Sequence, residues 1–317
     1  WNAADNVPDE DPWTTVARHD LVWGSPWFFG LAWASYTPGL VTGFTEESVA
    51  AAQDLRGRLL ASNPNVVLIA EIRYRDAHRS FLPEDHRWWL RDEDGSTIAG
   101  WEEGGYDLLA FNDAEYRAHV ATRAQAAVAT GVIDGVLLDW WSDDPDRLEL
   151  VSAVRQAIGP NALIIVNSND REVPASAPYV NGLFMEAYRS ETPDDWRRIE
   201  NTLTWAEESL REPRVNCLET WFHDSRADLS LMRATTTLAL TLSDGYCLFS
   251  DPNPLPTSDH LHDWYAFWDK GLGQPSGAAV EGPDGAYRRE FTGGTVVYNP
   301  SGGAPLTPRR RSKWSPP

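Results

Sequence analysis

The sequence has little of several features, and each shortage excludes a class of protein. Its 317 residues include two cysteines, Cys217 and Cys247, which form neither a disulfide framework nor a metal-ligand spacing. We expect both to be buried free thiols. No apolar run approaches the roughly 20 residues of a membrane span. Gly-rich phosphate loops and the GxSxG motif are absent, which disfavours nucleotide-binding proteins and serine hydrolases.

Basic residues are also scarce, since 27 Lys and Arg stand against 47 Asp and Glu and give a net charge of −20. A charge of this sign repels nucleic acid and anionic membranes. We therefore expect no nucleic-acid partner and a neutral substrate, although a solvated acidic surface explains the charge equally well. The chain begins at Trp1 without Met, and we expect a mature, secreted form whose signal peptide has been removed.

Tryptophan, in contrast, is abundant, with sixteen in the chain. Many of them are expected in the core. Those that follow predicted strands are different, because an indole ring stacks on the apolar face of a sugar while its N–H donates to a hydroxyl. These clusters favour a carbohydrate ligand.

One stretch organises the rest of the chain, the sequence GVIDGVLLDWW at 131–141. Its apolar run predicts a parallel strand that is buried on both faces. The strand ends in Asp139, which Trp140 and Trp141 follow directly. In an α/β barrel the active site lies at this end of the strands.

Eight strand signals alternate with helices, which predicts an α/β fold of the TIM (β/α)8 barrel type. The predicted strands are 19–24, 66–71, 106–111, 134–139, 162–166, 182–186, 214–219 and 245–249. Residues 74–105 carry no helix signal, so a long loop replaces one crossover, and such loops often form binding walls. We assign 1–275 to the barrel and 276–317 to a small C-terminal antiparallel β appendage with a basic tail, because the stretch at 287–300 has a hairpin pattern with Gly at the turn.

Four of the predicted strands end in a carboxylate, namely Glu71, Asp139, Glu186 and Glu219. Barrel strands alternate inward and outward, so such side chains can meet at one rim. Glycoside hydrolysis needs two carboxyl groups, one protonated and one ionised. An ion-pair network that includes Arg73 is the structural alternative.

The two roles are assigned from the neighbouring residues. Glu186 lies near Phe184, Met185 and Tyr188, which would raise its pKa and make it the proton donor. Asp139 is then the nucleophile. The predicted substrate-binding residues share a position at or just after a strand end, and they are Glu71, Arg73, Trp140, Trp141, Asn167, Asn169, Tyr188, Glu219 and Trp221.

No cofactor or metal is implied. His78 and His86 lie in a loop without a ligand spacing, and solvated histidines explain them better. A polysaccharide deacetylase would need a His/Asp metal set, which is not found. A lyase is the other enzyme alternative.

Three motifs carry a resemblance to a known family. The stretches DGVLLDWW at 134–141, GLFMEAY at 182–188 and YRREFTGGTVVYNPS at 287–301 resemble hypothetical glycosyl hydrolase family 15-like proteins, and the similarity extends from about Arg18 to Pro300. More distantly, acids ending the fourth and sixth strands resemble the retaining α-glycosidases, with Asp then Glu as in dextranases. The resemblance implies a hydrolase that degrades α-linked oligo- or polysaccharides, with Asp139 and Glu186 as the catalytic pair.

Two further possibilities stay open. Another large clan of retaining barrels has its nucleophile at the seventh strand end, where Glu219 lies, and a Glu preceded by Asn at the fourth. Asp139 follows Leu138, so this pattern fits poorly, but Glu219 remains a candidate in a β-glycosidase. A carbohydrate-binding barrel without catalysis is the other alternative. The choice between retention and inversion depends on the separation of the carboxyl groups.

Overall fold

The computed structural model describes residues 11–102, 104–221, 229–244, 246–251, 261–262, 265–268 and 271–300. The helices within these ranges are α1 (Pro12–Val16), α2 (Glu46–Ser62), α3 (Ala114–Ala129), α4 (Pro145–Ile158), α5 (Pro193–Ser209) and α6 (Leu229–Leu242). The strands are β1 (Leu21–Gly24), β2 (Val67–Glu71), β3 (Asp76–His78), β4 (Tyr106–Leu108), β5 (Gly135–Leu138), β6 (Leu163–Asn167), β7 (Gly182–Ala187), β8 (Cys217–Trp221), β9 (Tyr246–Asp251), β10 (Leu261–His262), β11 (Val280–Glu281), β12 (Tyr287–Phe291) and β13 (Gly294–Tyr298). No helix of the described ranges is long and apolar enough to cross a membrane.

Helices begin where the sequence supplies caps. The Thr45 hydroxyl accepts from the Ser48 N–H ahead of α2, and the Asp113 carboxylate accepts from two N–H groups of α3. Asp144 caps α4, whose first residue is Pro145. Each cap satisfies N–H groups that have no partner within the helix.

The central element is a curled sheet of parallel strands in the order β1, β2, β5, β6, β7, β8, β9, with β10 antiparallel to β9. The curl is shown by Trp23 of β1 and Phe184 of β7, whose ring centroids lie 5.2 Å apart. In a flat sheet four strand spacings would separate them by about 19 Å. The fold is therefore mixed α/β with a curled parallel sheet.

The third predicted strand does not join this sheet, so the prediction of eight parallel strands is corrected here. Only Tyr106–Leu108 form a strand, and it pairs antiparallel with Asp76–His78, while β2 pairs directly with β5. The buried Asp107 of this hairpin accepts from the Arg79 guanidinium at 3.0 Å. An alternating pattern indicates a strand but not its partner. The predicted long loop therefore contains an antiparallel hairpin.

The C-terminal strands β11, β12 and β13 form a separate antiparallel sheet. Arg289 of β12 ties it to the end of α6, donating to the carbonyls of Leu240 at 3.3 Å and Ser243 at 2.9 Å. The domain boundary at 275 stays a prediction. The basic tail lies outside the described residues.

Alternate residues of the parallel strands face two different cores, and this alternation positions the site. Outward residues such as Val136 and Leu138 belong to the larger core, to which α3 and α4 contribute. Inward residues form a second cluster within the curl, which includes Ile69, Leu137, Leu163, Ile165, Phe184, Val215 and Cys217. Side chains two residues apart on a strand lie on the same face. The residues two positions after members of this inner cluster are therefore also inward, and they are Glu71, Asp139, Asn167, Glu186 and Glu219. The polar residues at the strand ends therefore face the interior of the curl.

Candidate active site

Asp139 and Glu186 are brought together by one side chain on the strand between them. The Asn167 Nδ2 group donates to Asp139 Oδ1 at 2.8 Å and to Glu186 Oε2 at 2.8 Å. Asn167 is 4% exposed, whereas both carboxylate residues are partly exposed. The site therefore offers two accessible acids over a buried amide.

A third carboxylate and an arginine border this pair. Arg73 Nε lies 2.9 Å from Glu71 Oε1, and its Nη1 lies 3.3 Å from Asp76 Oδ1. Burial alone would lower the pKa of Arg73, but the negative charges of Glu71, Asp139 and Asp76 outweigh it and raise the pKa. Arg73 is thus a permanent positive charge beside the acids.

The pKa of Asp139 is raised. Burial is the largest cause, followed by repulsion from the carboxylates of Glu71 and Glu186, while Arg73 and the Asn167 hydrogen bond oppose it. The sequence analysis made Asp139 the ionised member of the pair. The raised pKa differs from this expectation because Asp139 is buried and because carboxylates from two other strands face it.

The expected apolar surroundings of Glu186 are also only partly present. Met185 is fully buried in the outer core, on the opposite face from Glu186. Phe184 lies on the inner side and Tyr188 is 42% exposed. The apolar contribution to the Glu186 environment is therefore smaller than the sequence suggested.

The two consecutive tryptophans after Asp139 differ in accessibility. Trp140 is 49% exposed, and the Arg75 guanidinium lies 4.4 Å from its ring centroid. Trp141 is 1% exposed, and its indole N–H donates to Ser176 Oγ at 2.9 Å. The prediction that Trp141 stacks on substrate is wrong, because its ring is enclosed in the core, whereas Trp140 is accessible.

Two residues at the site, Trp140 with φ 53° and Asn169 with φ 56°, adopt the left-handed backbone conformation. Residues other than glycine rarely adopt this conformation. Such conformations cluster at functional sites because the surroundings must hold them. The Trp140 carbonyl accepts from Tyr74 Oη and Arg147 Nε, both at 3.0 Å. Sequence reasoning missed Tyr74 and Arg147, and no motif marks them.

The remaining predicted residues surround the pair at different depths. Asn169 Nδ2 donates to the backbone carbonyl of Glu186 at 3.0 Å, so its amide is engaged by the protein. Glu219 pairs with Glu186 in the strand register but is 0% exposed. The Arg189 guanidinium lies 5.2 Å from the Tyr188 ring. Trp221 ends β8, and its side chain lies outside the described residues.

The hairpin of β3 and β4 supplies residues that the sequence did not indicate. The Arg73 guanidinium lies 4.8 Å from the Tyr106 ring, and Arg75 pairs with Asp76 at 2.7 Å. The only hint in the sequence was the long segment at 74–105, which was expected to form a wall of the binding site. Within the described part of the chain, no group of three or more His, Cys, Asp or Glu side chains could hold a metal ion.

Comparison with known proteins agrees with the sequence resemblance. The family described as "Hypothetical glycosyl hydrolase family 15" matches residues 146–295, which confirms the resemblance and supports the prediction of a glycosidase. The matched region contains Glu186 and Glu219 and begins after Asp139. No curated protein matches the sequence.

Solved structures show the same fold at low identity. A maltogenic alpha-amylase AmyB from Thermotoga neapolitana has a TM-score of 0.56 and 13% identity, over 94% of this chain and 84% of its own. An alpha-amylase from Geobacillus thermoleovorans has a TM-score of 0.53 and 13% identity, over 90% of this chain and 79% of its own. A cyclic alpha-maltosyl-(1→6)-maltose hydrolase from Arthrobacter globiformis has a TM-score of 0.53 and 12% identity, over 91% of this chain and 81% of its own.

Proposed function

We propose that this protein is a retaining glycoside hydrolase that cleaves O-glycosidic bonds of an α-linked oligo- or polysaccharide, with Asp139 as nucleophile and Glu186 as general acid and base. One observation carries the proposal. Asp139 and Glu186, from two strands on either side of β6, each accept a 2.8 Å hydrogen bond from the same Asn167 nitrogen. Two carboxyl groups that flank one small space are what glycoside hydrolysis requires.

The hydrogen-bond geometry supports retention. Two oxygens that are each 2.8 Å from one amide nitrogen lie about 5 Å apart, because the two N–H bonds of an amide diverge by about 120°. Retaining enzymes separate the carboxyl groups by about 5 to 5.5 Å, whereas inverting enzymes leave about 6.5 to 9.5 Å for a water molecule. The short separation favours direct attack by one carboxylate.

The positive charge of Arg73 supports the assignment of Asp139 as the ionised partner. Two carboxylates this close are most stable with one proton between them. The positive charge of Arg73 favours the ionised Asp139 and opposes the burial and the neighbouring carboxylates, which raise the pKa of Asp139. Asp139 can then attack the anomeric carbon while Glu186 protonates the leaving oxygen, and Glu186 later takes a proton from the incoming water.

The accessible aromatic side chains support a sugar substrate. Trp140 follows Asp139 and Tyr188 lies two residues after Glu186, and both are substantially exposed. We assign them to the stacking of sugar rings. The α-linkage is proposed from the order of Asp and Glu on strands separated by one other strand, and the alpha-amylases among the structural neighbours agree with it. The closed barrel and the secreted location remain predictions.

The first experiment is hydrolysis of a panel of α- and β-linked oligosaccharides, read by the release of reducing ends. The parent should cleave an α-linked member, and Asp139→Asn should abolish turnover. Glu186→Gln should lower kcat by about 10²- to 10⁴-fold on natural substrates. On a dinitrophenyl glycoside the loss of kcat/KM should be far smaller, because that leaving group needs no proton in the first step.

Azide separates the two roles and tests the mechanism. With Glu186→Ala, azide should restore turnover and give a glycosyl azide of the substrate's configuration, since azide replaces water at the second step. With Asp139→Ala, the azide product should have the opposite configuration. Loss of rescue in both variants together with inverted sugar products would contradict a retaining mechanism.

Two alternatives have their own outcomes. Glu219 is 0% exposed, which favours Glu186 as the acid, so Glu219→Gln should retain the leaving-group dependence of the parent. A binding-only barrel would bind oligosaccharides without releasing reducing ends. That result would remove the catalytic proposal.

A further inference from the structure

The residue between the two acids, Asn167, has a different place in the site from the one that the sequence predicted. Asn167 is the last residue of β6, which lies between the strands of Asp139 and Glu186. Its side chain points into the curl of the sheet, as the two carboxylates do, and only 4% of the residue is exposed. Sequence reasoning assigned it to substrate hydroxyls, but both of its N–H donors are used within the protein.

The orientation of this amide is fixed by a second asparagine. Asn167 Oδ1 accepts from the backbone N–H of Asn169 at 3.1 Å, which directs the NH2 group toward the acids. Asn169 is held in the left-handed region with φ 56°, and its side chain donates to the Glu186 carbonyl at 3.0 Å. Asn tolerates this conformation better than most residues. The turn after β6 therefore aligns one amide with two catalytic strands.

The backbone of Asn167 is also bonded to the segment that follows β5 and carries Asp139. The Trp141 N–H donates to the Asn167 carbonyl at 2.7 Å, so the segment that carries Asp139 is joined to β6 by a backbone bond and a side-chain bond. Asn167 thus contacts Asp139 and Glu186 from a single rigid site. A change at this residue alters the position of both acids at once.

A neutral double donor suits the charges that surround it. Asp139 is faced by Glu71 and Arg73 from the end of β2, Glu186 from β7, and the Tyr74 hydroxyl. An acidic residue in place of Asn167 would add repulsion, whereas a cation would attract both acids and hold them ionised. An amide stabilises each carboxylate by a hydrogen bond without preventing either from binding a proton.

We propose that Asn167 is the positioning residue of this reaction, setting the separation of Asp139 and Glu186 and balancing the proton between them. The inference rests on the proposed function. It predicts effects on kcat and on the pH profile, with little effect on KM, because the amide acts through the two acids and does not bind the sugar.

The test compares Asn167→Ala and Asn167→Asp with the matched control Asn216→Ala. Asn216 is a second buried amide that joins neighbouring strands, accepting from the Leu183 N–H at 2.8 Å and donating to Glu207 at 2.8 Å. Asn167→Ala should lower kcat by about 10- to 100-fold and move the acidic limb of kcat/KM to higher pH, since Asp139 loses a bond that favours its ionised form. The isosteric Asn167→Asp should lower kcat further, because it adds another negative charge beside the carboxylates. Asn216→Ala should lower the melting temperature but leave the limb in place.

A second readout does not depend on hydrolysis. The carboxyl carbon of Asp139 can be followed by ¹³C NMR during a pH titration and identified by its loss in Asp139→Asn. Its midpoint should rise by about one to two pH units in Asn167→Ala. An unchanged midpoint overturns the positioning role even if the parent hydrolyses no sugar. If Asp139→Asn and Glu186→Gln are inactive but Asn167→Ala has the parent kcat and pH limb, the positioning role is wrong and the proposed function stands.

Discussion

Trp140 and Trp141 are adjacent in the chain, yet Trp140 is 49% exposed and Trp141 is 1% exposed. The left-handed conformation at Trp140, φ 53°, turns the chain at the strand end. Trp141 then enters the core, where its ring lies 5.8 Å from that of Tyr74. One tryptophan is available to a ligand and the other stabilises the loop that carries Asp139.

Substitution of each tryptophan should therefore affect a different property. Trp141→Ala should lower the free energy of unfolding by about 3–5 kcal/mol, because it leaves a large cavity and removes the hydrogen bond from the indole N–H to Ser176. Trp140→Ala should change it by less than about 1 kcal/mol and raise KM roughly 2- to 10-fold through the loss of stacking. Urea denaturation and steady-state kinetics measure the two effects. Equal losses of stability in both variants would contradict this division.

The raised pKa of Asp139 predicts that this residue opposes folding at neutral pH. Because the folded state holds the proton more tightly than the unfolded chain, stability falls as pH rises from the unfolded pKa of about 3.9 to the raised folded pKa, and the loss is complete above it. Asp139→Asn should then be more stable than the parent at pH 8, by about 1.4 kcal/mol for each pKa unit between the two states.

The same variant supplies its own control at low pH. Below about pH 3 the Asp139 carboxyl is mostly protonated in both the folded and the unfolded state, so the stability gain of Asp139→Asn should nearly vanish there. Denaturation curves at about pH 3 and at pH 8 test this. A gain of equal size at both pH values would mean that burial and the neighbouring carboxylates are not its cause.

Arg289 should be a principal support of the C-terminal sheet. It is 8% exposed and donates to three carbonyls as well as to Asp244, with the Gly277 carbonyl at 2.8 Å. Arg289→Met should lower the free energy of unfolding by about 2–4 kcal/mol, because buried carbonyls lose their donors.

Arg288 is the matched control on the opposite face of the same strand. It pairs with Asp284 within an exposed turn, and exposed pairs contribute little. Arg288→Met should therefore cost much less than Arg289→Met in the same urea titration. A larger loss at Arg288 would show that the sheet is not anchored through Arg289.

Much of the site was predictable because strand periodicity is local. Ile69 and Glu71 share a face, as do Leu137 and Asp139, so an apolar strand that ends in an acid already indicates on which side that acid lies. The pairing of Asp139 with Glu186 followed from parallel strands that end at one rim. These inferences need the sequence of single strands and the fold class.

The tertiary structure decided what depends on residues that are distant in the chain. Tyr106–Leu108 had the pattern of a barrel strand, but its partner is Asp76–His78, and partner choice is a non-local free-energy difference that no single strand records. The raised pKa of Asp139 comes first from burial and then from Glu71 and Glu186, and both causes depend on residues that are far away in sequence. Asn167 contacts both acids because the sheet brings three neighbouring strand ends together. The separation of the Asp139 and Glu186 carboxylates therefore depends on the folded chain.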